Sequence, residues 1–212
     1  MVTKHPAKYS DQLLPHFKEL LKDKATVLDP FAGTGKLRSI CPNAILLEIE
    51  PEWAEISGAI IGDALHIPKE WTNKFDAVCT SPCYGNRMAD SFECSKGGKK
   101  RNTYHHCLGR KPSNCSSSTL QWGKKYKDFH LKAWEEVYRV LKPTGIFILN
   151  ISDHIRNGKV IEVSKWHKET VMEVGFVFLE ERKVNTPRNR YGANRQRVKY
   201  ESIYVFRKEL KK

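Results

Sequence analysis

The sequence predicts an α/β fold: a mostly parallel sheet that ends in an antiparallel C-terminal hairpin. Short apolar runs at residues 26–28, 44–49, 60–64, 75–80 and 146–151 alternate with helical periodicity or with brief crossovers, the pattern of β/α units. The first run empties into a glycine turn, Gly33-Thr34-Gly35. The last two runs, 176–183 and 200–206, follow each other with no helix between them, which implies antiparallel pairing. A chain of 212 residues is enough for one domain with a sizeable core, so residues 1–212 read as a single domain.

Taken in order, Leu13, Leu14, Phe17, Leu20 and Leu21 recur at three- and four-residue intervals and predict an amphipathic helix. The strand Thr26-Val27-Leu28 then turns into Asp29-Pro30-Phe31-Ala32-Gly33-Thr34-Gly35. Two glycines flanking one residue let a backbone turn tightly and approach a ligand closely, as nucleotide-binding loops do. An ordinary strand-to-helix turn has the same outline. Cys41-Pro42-Asn43 stops any helix after the loop, so the crossover is abbreviated. The second strand ends in acid about 20 residues past the loop, where nucleotide-binding folds place a carboxylate for ribose hydroxyls, with Glu48 the first choice and Glu50 the second.

A short helix is expected over 51–58, and a third strand over 60–64 places Asp63 where it can accept from an adenine amino group. The fourth strand, 75–80, leads into Ser81-Pro82-Cys83-Tyr84-Gly85-Asn86-Arg87. Residues 86–127 then lose periodicity and read as an inserted, substrate-contacting segment. Phe129, Ala133, Val137 and Leu141 form an i+4 row with Trp134 and Tyr138 beside it, a core-facing helix ended by Pro143-Thr144-Gly145. A further helix runs from Glu162 to Val174, ahead of Gly175.

The net charge of +13 is localised. Residues 85–127 hold ten Lys and Arg against two acids, and residues 182–199 hold seven against none, so the rest of the chain is nearly neutral. Two basic patches on a neutral body suit a polyanion such as DNA, with RNA as the other option, because each neutralised phosphate releases counterions. Asn86, Arg87, Lys99, Lys100, Arg101, Arg188, Arg190, Arg195 and Arg197 are the candidate contacts, the last four on a hairpin loop at 184–199. Tyr104, Trp122, Asn189 and Tyr191 are candidates for stacking on or reading bases. No run is long and apolar enough to span a bilayer, and six irregularly spaced cysteines suggest reduced thiols in a cytoplasmic setting, with no membrane partner. Cys94, Cys107 and Cys115 with His105 or His106 lack paired-knuckle spacing, so no metal is expected.

Two loops, each after an apolar strand, carry a family resemblance. Asp29 to Gly35 reads Asp-Pro-Phe-x-Gly-x-Gly, and Ser81-Pro82-Cys83-Tyr84 matches (Asp/Asn/Ser)-Pro-Pro-(Tyr/Phe) at three of four positions. The chain resembles the S-adenosylmethionine-dependent DNA amino-methyltransferases, which act on adenine N6 or cytosine N4. The resemblance implies a Rossmann-like class I methyltransferase fold with a seven-stranded sheet, and a bacterial, archaeal or phage source. It implies a cofactor site of His5, Lys8, Tyr9, Asp29, Pro30, Phe31, Ala32, Gly33, Thr34, Gly35, Glu48, Ile49, Asp63 and Ala64. In the catalytic loop it implies Ser81 Oγ and the Pro82 carbonyl as acceptors for the amine's N–H groups, and Tyr84 as a stacking partner for a flipped base.

Cys83 departs from the family pattern. A Pro-Cys pair also resembles cytosine C5-methyltransferases, whose thiolate attacks the base, and basic surroundings would lower such a thiol's pKa. An RNA base methyltransferase and an inactive nucleic-acid-binding module are further alternatives. Serine at the first loop position favours cytosine N4.

Overall fold

The computed structural model describes residues 5, 9–86, 103–186 and 198–209. Over these a seven-stranded sheet separates two hydrophobic layers. Its strands are β1 (Val27–Asp29), β2 (Ile45–Glu48), β3 (Ile60–Ile61), β4 (Phe75–Thr80) and β5 (Leu141–Ile151). A separate small hairpin of β6 (His154–Arg156) and β7 (Lys159–Ile161) follows, and then β8 (Phe176–Asn185) and β9 (Tyr200–Lys208) complete the sheet. The spatial order is β3-β2-β1-β4-β5-β9-β8. Pairings from β3 through β5 are parallel, and β9 runs antiparallel to both neighbours. This is the mostly parallel sheet with a terminal hairpin that the sequence predicts.

The helices are α1 (Leu14–Leu21), α2 (Pro51–Ser57), α3 (Tyr104–Leu108), α4 (Lys124–Val140) and α5 (Val163–Val174). Successive strand residues point to opposite faces, so each central strand feeds both layers. Val78, Phe147 and Leu149 pack with Trp134 and Val137 of α4 and Val171 of α5. Ala77, Cys79 and Ile148 pack instead with Phe17 and Leu21 of α1. Each large apolar side chain so buried stabilises the fold by about 1.5–3 kcal/mol.

The abbreviated crossover after the glycine loop is a single 3-10 turn, Lys36–Ser39. Helix α4 starts at Lys124, inside the segment expected to be irregular, because its first turn is polar and carries no apolar period. Leu141, read as the last member of the helical row, opens β5 instead. The β6–β7 hairpin was not anticipated, since its strands are three residues long. Its turn residues Asn157 and Gly158 take φ of 51° and 74°, the left-handed pair that tight hairpins need.

Strands β1, β2 and β3 step outward to one side and β4 lies on the other, so the order reverses between β1 and β4. A crevice at the C-terminal ends of two such strands is where open α/β sheets bind ligands. Away from it, exposed Thr144 is held at φ 65°, which a β-branched residue adopts at a cost. Thr144→Gly is expected to raise stability by about 1 kcal/mol, read from the urea midpoint.

Candidate active site

Asp29 ends β1 and Thr80 ends β4, and their side chains join across the reversal point. Thr80 Oγ1 donates to Asp29 Oδ1 at 2.6 Å, and the Phe31 N–H donates to the same oxygen at 3.1 Å. The Tyr9 hydroxyl donates to Oδ2 at 2.9 Å. Burial pushes the Asp29 carboxyl up to about 6, against the pull of these hydrogen bonds. Pro30 and Ala32 are buried, and the Phe31 ring packs against Phe129, His130 and Trp134 of α4.

Glu48 closes the other side of the loop. Its Oε2 accepts the Gly33 N–H at 2.7 Å and its Oε1 accepts the Glu50 N–H at 2.9 Å. Burial pushes this carboxyl up to about 7. Gly33 and Gly35 take φ of 53° and 73°, and a Cβ on Gly33 would lie 3.1 Å from His5 Nε2. His5 thus covers the loop, edge-on to Trp53 at 4.2 Å and to Tyr104 at 5.7 Å. Thr34 and Ile49 are half-buried beside it, and Ala64 is buried.

Asp63 follows β3, where its Oδ1 accepts the Leu65 N–H and its Oδ2 meets His66 Nδ1, both at 2.9 Å. Asp29, Glu48 and Asp63 therefore stand at the C-terminal ends of three adjacent parallel strands. Gly33 joins two of these elements, its N–H bonded to Glu48 and its Cα face covered by His5. Lys8 lies outside the described residues. Glu50, the second choice for a ribose contact, is committed elsewhere. Its Oε2 accepts from Arg110 Nη2 at 2.8 Å and Ser113 Oγ at 3.1 Å, and its Oε1 accepts the Ser113 N–H at 2.8 Å. Fully buried, it tethers the inserted segment to the start of α2.

The loop after β4 is held from two directions. Tyr84 donates its hydroxyl proton to Glu201 Oε2 at 2.9 Å. A phenol has one proton, so in the 2.8 Å contact between Ser81 Oγ and Tyr84 Oη the serine donates. Asn150 Nδ2, from β5, reaches Ser81 Oγ at 3.2 Å, Tyr84 Oη at 2.9 Å and Glu201 Oε2 at 2.8 Å, sharing two hydrogens among three acceptors. Behind the loop, the Trp134 indole N–H donates to His167 Nδ1 at 3.1 Å. That fixes the neutral tautomer with the proton on Nε2, which donates to Tyr126 Oη at 2.8 Å, and Tyr126 in turn donates to the Cys83 carbonyl at 2.8 Å. Gly85, at φ 62°, admits the close approach of Trp122: a Cβ there would lie 2.9 Å from the Trp122 nitrogen. Pro82 is buried.

The Cys83 thiol overturns one expectation. Cys83 is half-buried, and the desolvation there pushes its thiol up to about 11, opposite to the lowered value that a basic environment would give. Tyr104, 4% exposed, is a packing residue and not a stacking platform, whereas Trp122 is half-buried and packs on Tyr126 and Trp166. Asn86 is half-buried. Arg87, Lys99, Lys100, Arg101, Arg188, Arg190, Arg195 and Arg197 lie outside the described residues, as do Cys94, Asn189 and Tyr191. Among the described residues no group of three or more His, Cys, Asp or Glu could hold a metal ion, and no helix is long and apolar enough to cross a membrane.

Sequence reasoning missed Thr80, Tyr126, Asn150, His167 and Glu201. Asn150 and Thr80 carried a faint signal as polar residues ending apolar strands. The others carried none, because their partners are distant in sequence.

Two measurements probe this site. Glu48 has its folded pKa raised from the ordinary 4.5 to about 7, so its contribution to stability is complete below about 4.5 and is lost as pH rises through 7. Relative to Glu48→Gln, the unliganded protein is expected to lose up to about 3 kcal/mol between pH 5 and 8 in urea titrations. Tyr126→Phe leaves the Cys83 carbonyl and the His167 N–H without their partner and should cost about 1–3 kcal/mol by the same method.

Residues 75–212 match the model of the DNA methylase family of N6 and N4 type, a span that includes β4 and the Ser81 to Tyr84 loop. No curated protein matches the chain. Among solved structures, an S-adenosylmethionine-dependent methyltransferase from Methanosarcina mazei is 12% identical, with 93% of this chain and 98% of that chain covered and a TM-score of 0.60. The 1,6-didemethyltoxoflavin-N1-methyltransferase of Burkholderia thailandensis, with bound S-adenosylhomocysteine, is 14% identical over 94% of this chain and 78% of that one, with a TM-score of 0.55. The [4+2]-cyclase SpnF is 15% identical over 92% and 81%, also at 0.55. At these identities the likeness extends to the fold alone, and a cyclase among the matches shows that the fold hosts other chemistry. The family match spans well over half of the chain, which therefore belongs to the DNA methylase family and is an S-adenosylmethionine-dependent methyltransferase acting on DNA bases.

Proposed function

We propose that the enzyme is a site-specific DNA methyltransferase whose target is an exocyclic amino group on a base held outside the duplex, cytosine N4 ahead of adenine N6. The observation that carries this reading is the contact of Ser81 Oγ with Tyr84 Oη, whose own proton goes to Glu201. Because Ser81 gives its proton to Tyr84, its oxygen is an acceptor toward substrate. An exocyclic amine is a poor nucleophile because its lone pair is delocalised into the ring. Acceptors on its N–H bonds, here Ser81 Oγ and the Pro82 carbonyl, favour the less planar and more nucleophilic nitrogen. The cofactor supplies an electrophilic methyl group on sulfonium.

His5, Lys8, Tyr9, the Asp29 to Gly35 loop, Glu48, Ile49, Asp63 and Ala64 would hold that cofactor, with Glu48 on the ribose and Asp63 on the adenine. Tyr84 would stack on the flipped base. Asn86, Arg87 and the basic residues at 99–101 and 188–197 would engage DNA phosphates, as parts of one domain with a substrate-contacting insertion. A cytoplasmic location accords with reduced thiols.

The C5 reading requires a Cys83 thiolate, and burial opposes one. Incubation with DNA and with RNA, followed by mass analysis of the nucleosides, is expected to give N4-methylcytosine from DNA. Appearance of 5-methylcytosine would overturn the proposal, and methylation of RNA alone would reassign the substrate. Ser81→Ala should lower kcat by about 100-fold or more. Cys83→Ala should retain activity, whereas a C5 enzyme would lose it entirely.

A further inference from the structure

Serine at the head of the catalytic loop leaves the reaction short of a negative charge. A methylated amine must shed a proton, and a serine hydroxyl is too weak a base to keep one. The missing carboxylate is present two hydrogen bonds away. Glu201, on β9, pairs with Val184 of β8, and its neighbour Ser202 pairs with Ile151 of β5. That register carries the Glu201 carboxylate to the catalytic loop, where Oε2 accepts from both Tyr84 Oη and Asn150 Nδ2. Asn150 is 1% exposed, and its amide spans Ser81, Tyr84 and Glu201.

We propose that Glu201 is a positioning residue that draws the substrate amine's proton away through Ser81 and Tyr84, with Asn150 holding the three oxygens in line. This rests on the amino-group reading above. As the amine nitrogen bonds to the methyl carbon and the carbon–sulfur bond breaks with its electron pair left on sulfur, nitrogen holds one proton too many. Ser81 Oγ takes that proton while the serine's own proton passes to Tyr84 Oη. The tyrosine's proton passes to Glu201, which becomes a neutral acid. Loss of that proton to water, followed by rotation of the Ser81 and Tyr84 hydroxyls back toward Glu201, restores the starting state. With Tyr84 donating to Glu201, the polarity that follows, Ser81 to Tyr84 to Glu201, is the one this transfer needs, so no hydroxyl has to rotate before it begins. The relay also ties chemistry to β9, the strand that continues out of the basic hairpin loop.

The test is Glu201→Gln, which keeps an oxygen for both hydrogen bonds and removes the capacity to accept a proton. The expected result is a fall in kcat of about 100-fold, with KM for DNA within about two-fold of wild type. Calorimetric affinity for S-adenosylhomocysteine and the melting temperature of the unliganded protein should be unchanged. In a Tyr84→Phe background, which cuts the relay, adding Glu201→Gln should cost nothing further. Wild-type kcat in Glu201→Gln, additive losses in the double variant, or a kcat loss matched by a lower melting temperature would each overturn the relay. Wild-type protein that makes 5-methylcytosine would instead refute the amino-group reading, so the two failures are distinguishable.

Discussion

The hydrogen bond from Thr80 to Asp29 is the constraint on which the rest of the site depends. It joins the ends of β1 and β4, the two parallel strands between which the strand order reverses, and so fixes the glycine loop against the Ser81 to Tyr84 loop. A buried carboxylate is costly unless it is satisfied, and Asp29 meets that condition with donors from three parts of the chain: Thr80, Phe31 and Tyr9. Methyl transfer needs donor and acceptor held in line, and a rigid link between two strand ends is a direct way to hold them.

Around this link, two further polar systems restrain what would otherwise be mobile loops. Glu50, Arg110 and Ser113 fasten the inserted segment beside the cofactor loop. Trp134, His167 and Tyr126 form a chain of fixed polarity that ends on the Cys83 carbonyl. The chain works only while His167 is neutral, and burial together with nearby His130 keeps its pKa well below the ordinary 6.5. The catalytic loop is thus gripped by its backbone from α4 and by its side chains from β5 and β9. Its departure from the family pattern at Cys83 leaves that grip intact, because the contact is to the carbonyl and not to the thiol.

Much of this was legible in the residues. The strands were visible because apolar runs between turn residues are a local signal, and the two loops because each is contiguous. Helix α4 was visible only from Phe129, since its polar first turn looks like any solvated segment. Glu50 was misjudged for a related reason: at the end of β2 an acid looks equally suited to a ribose or to an arginine, and the choice turns on Arg110, sixty residues away.

The sequence by itself determined the order of β/α units, the glycine loop, the Ser81 to Tyr84 tetrapeptide after β4 and the concentration of positive charge, all of which are properties of neighbouring residues. Only the tertiary structure decided that Asp29 bonds Thr80, that Glu50 bonds Arg110 and Ser113, that desolvation raises the Cys83 thiol, and that Asn150 and Glu201 complete the Ser81 and Tyr84 pair. The physical reason is that these depend on burial and on sheet register. Both are set when strands distant in sequence pair, and a pairing shifted by one residue would turn Glu201 to the opposite face of the sheet.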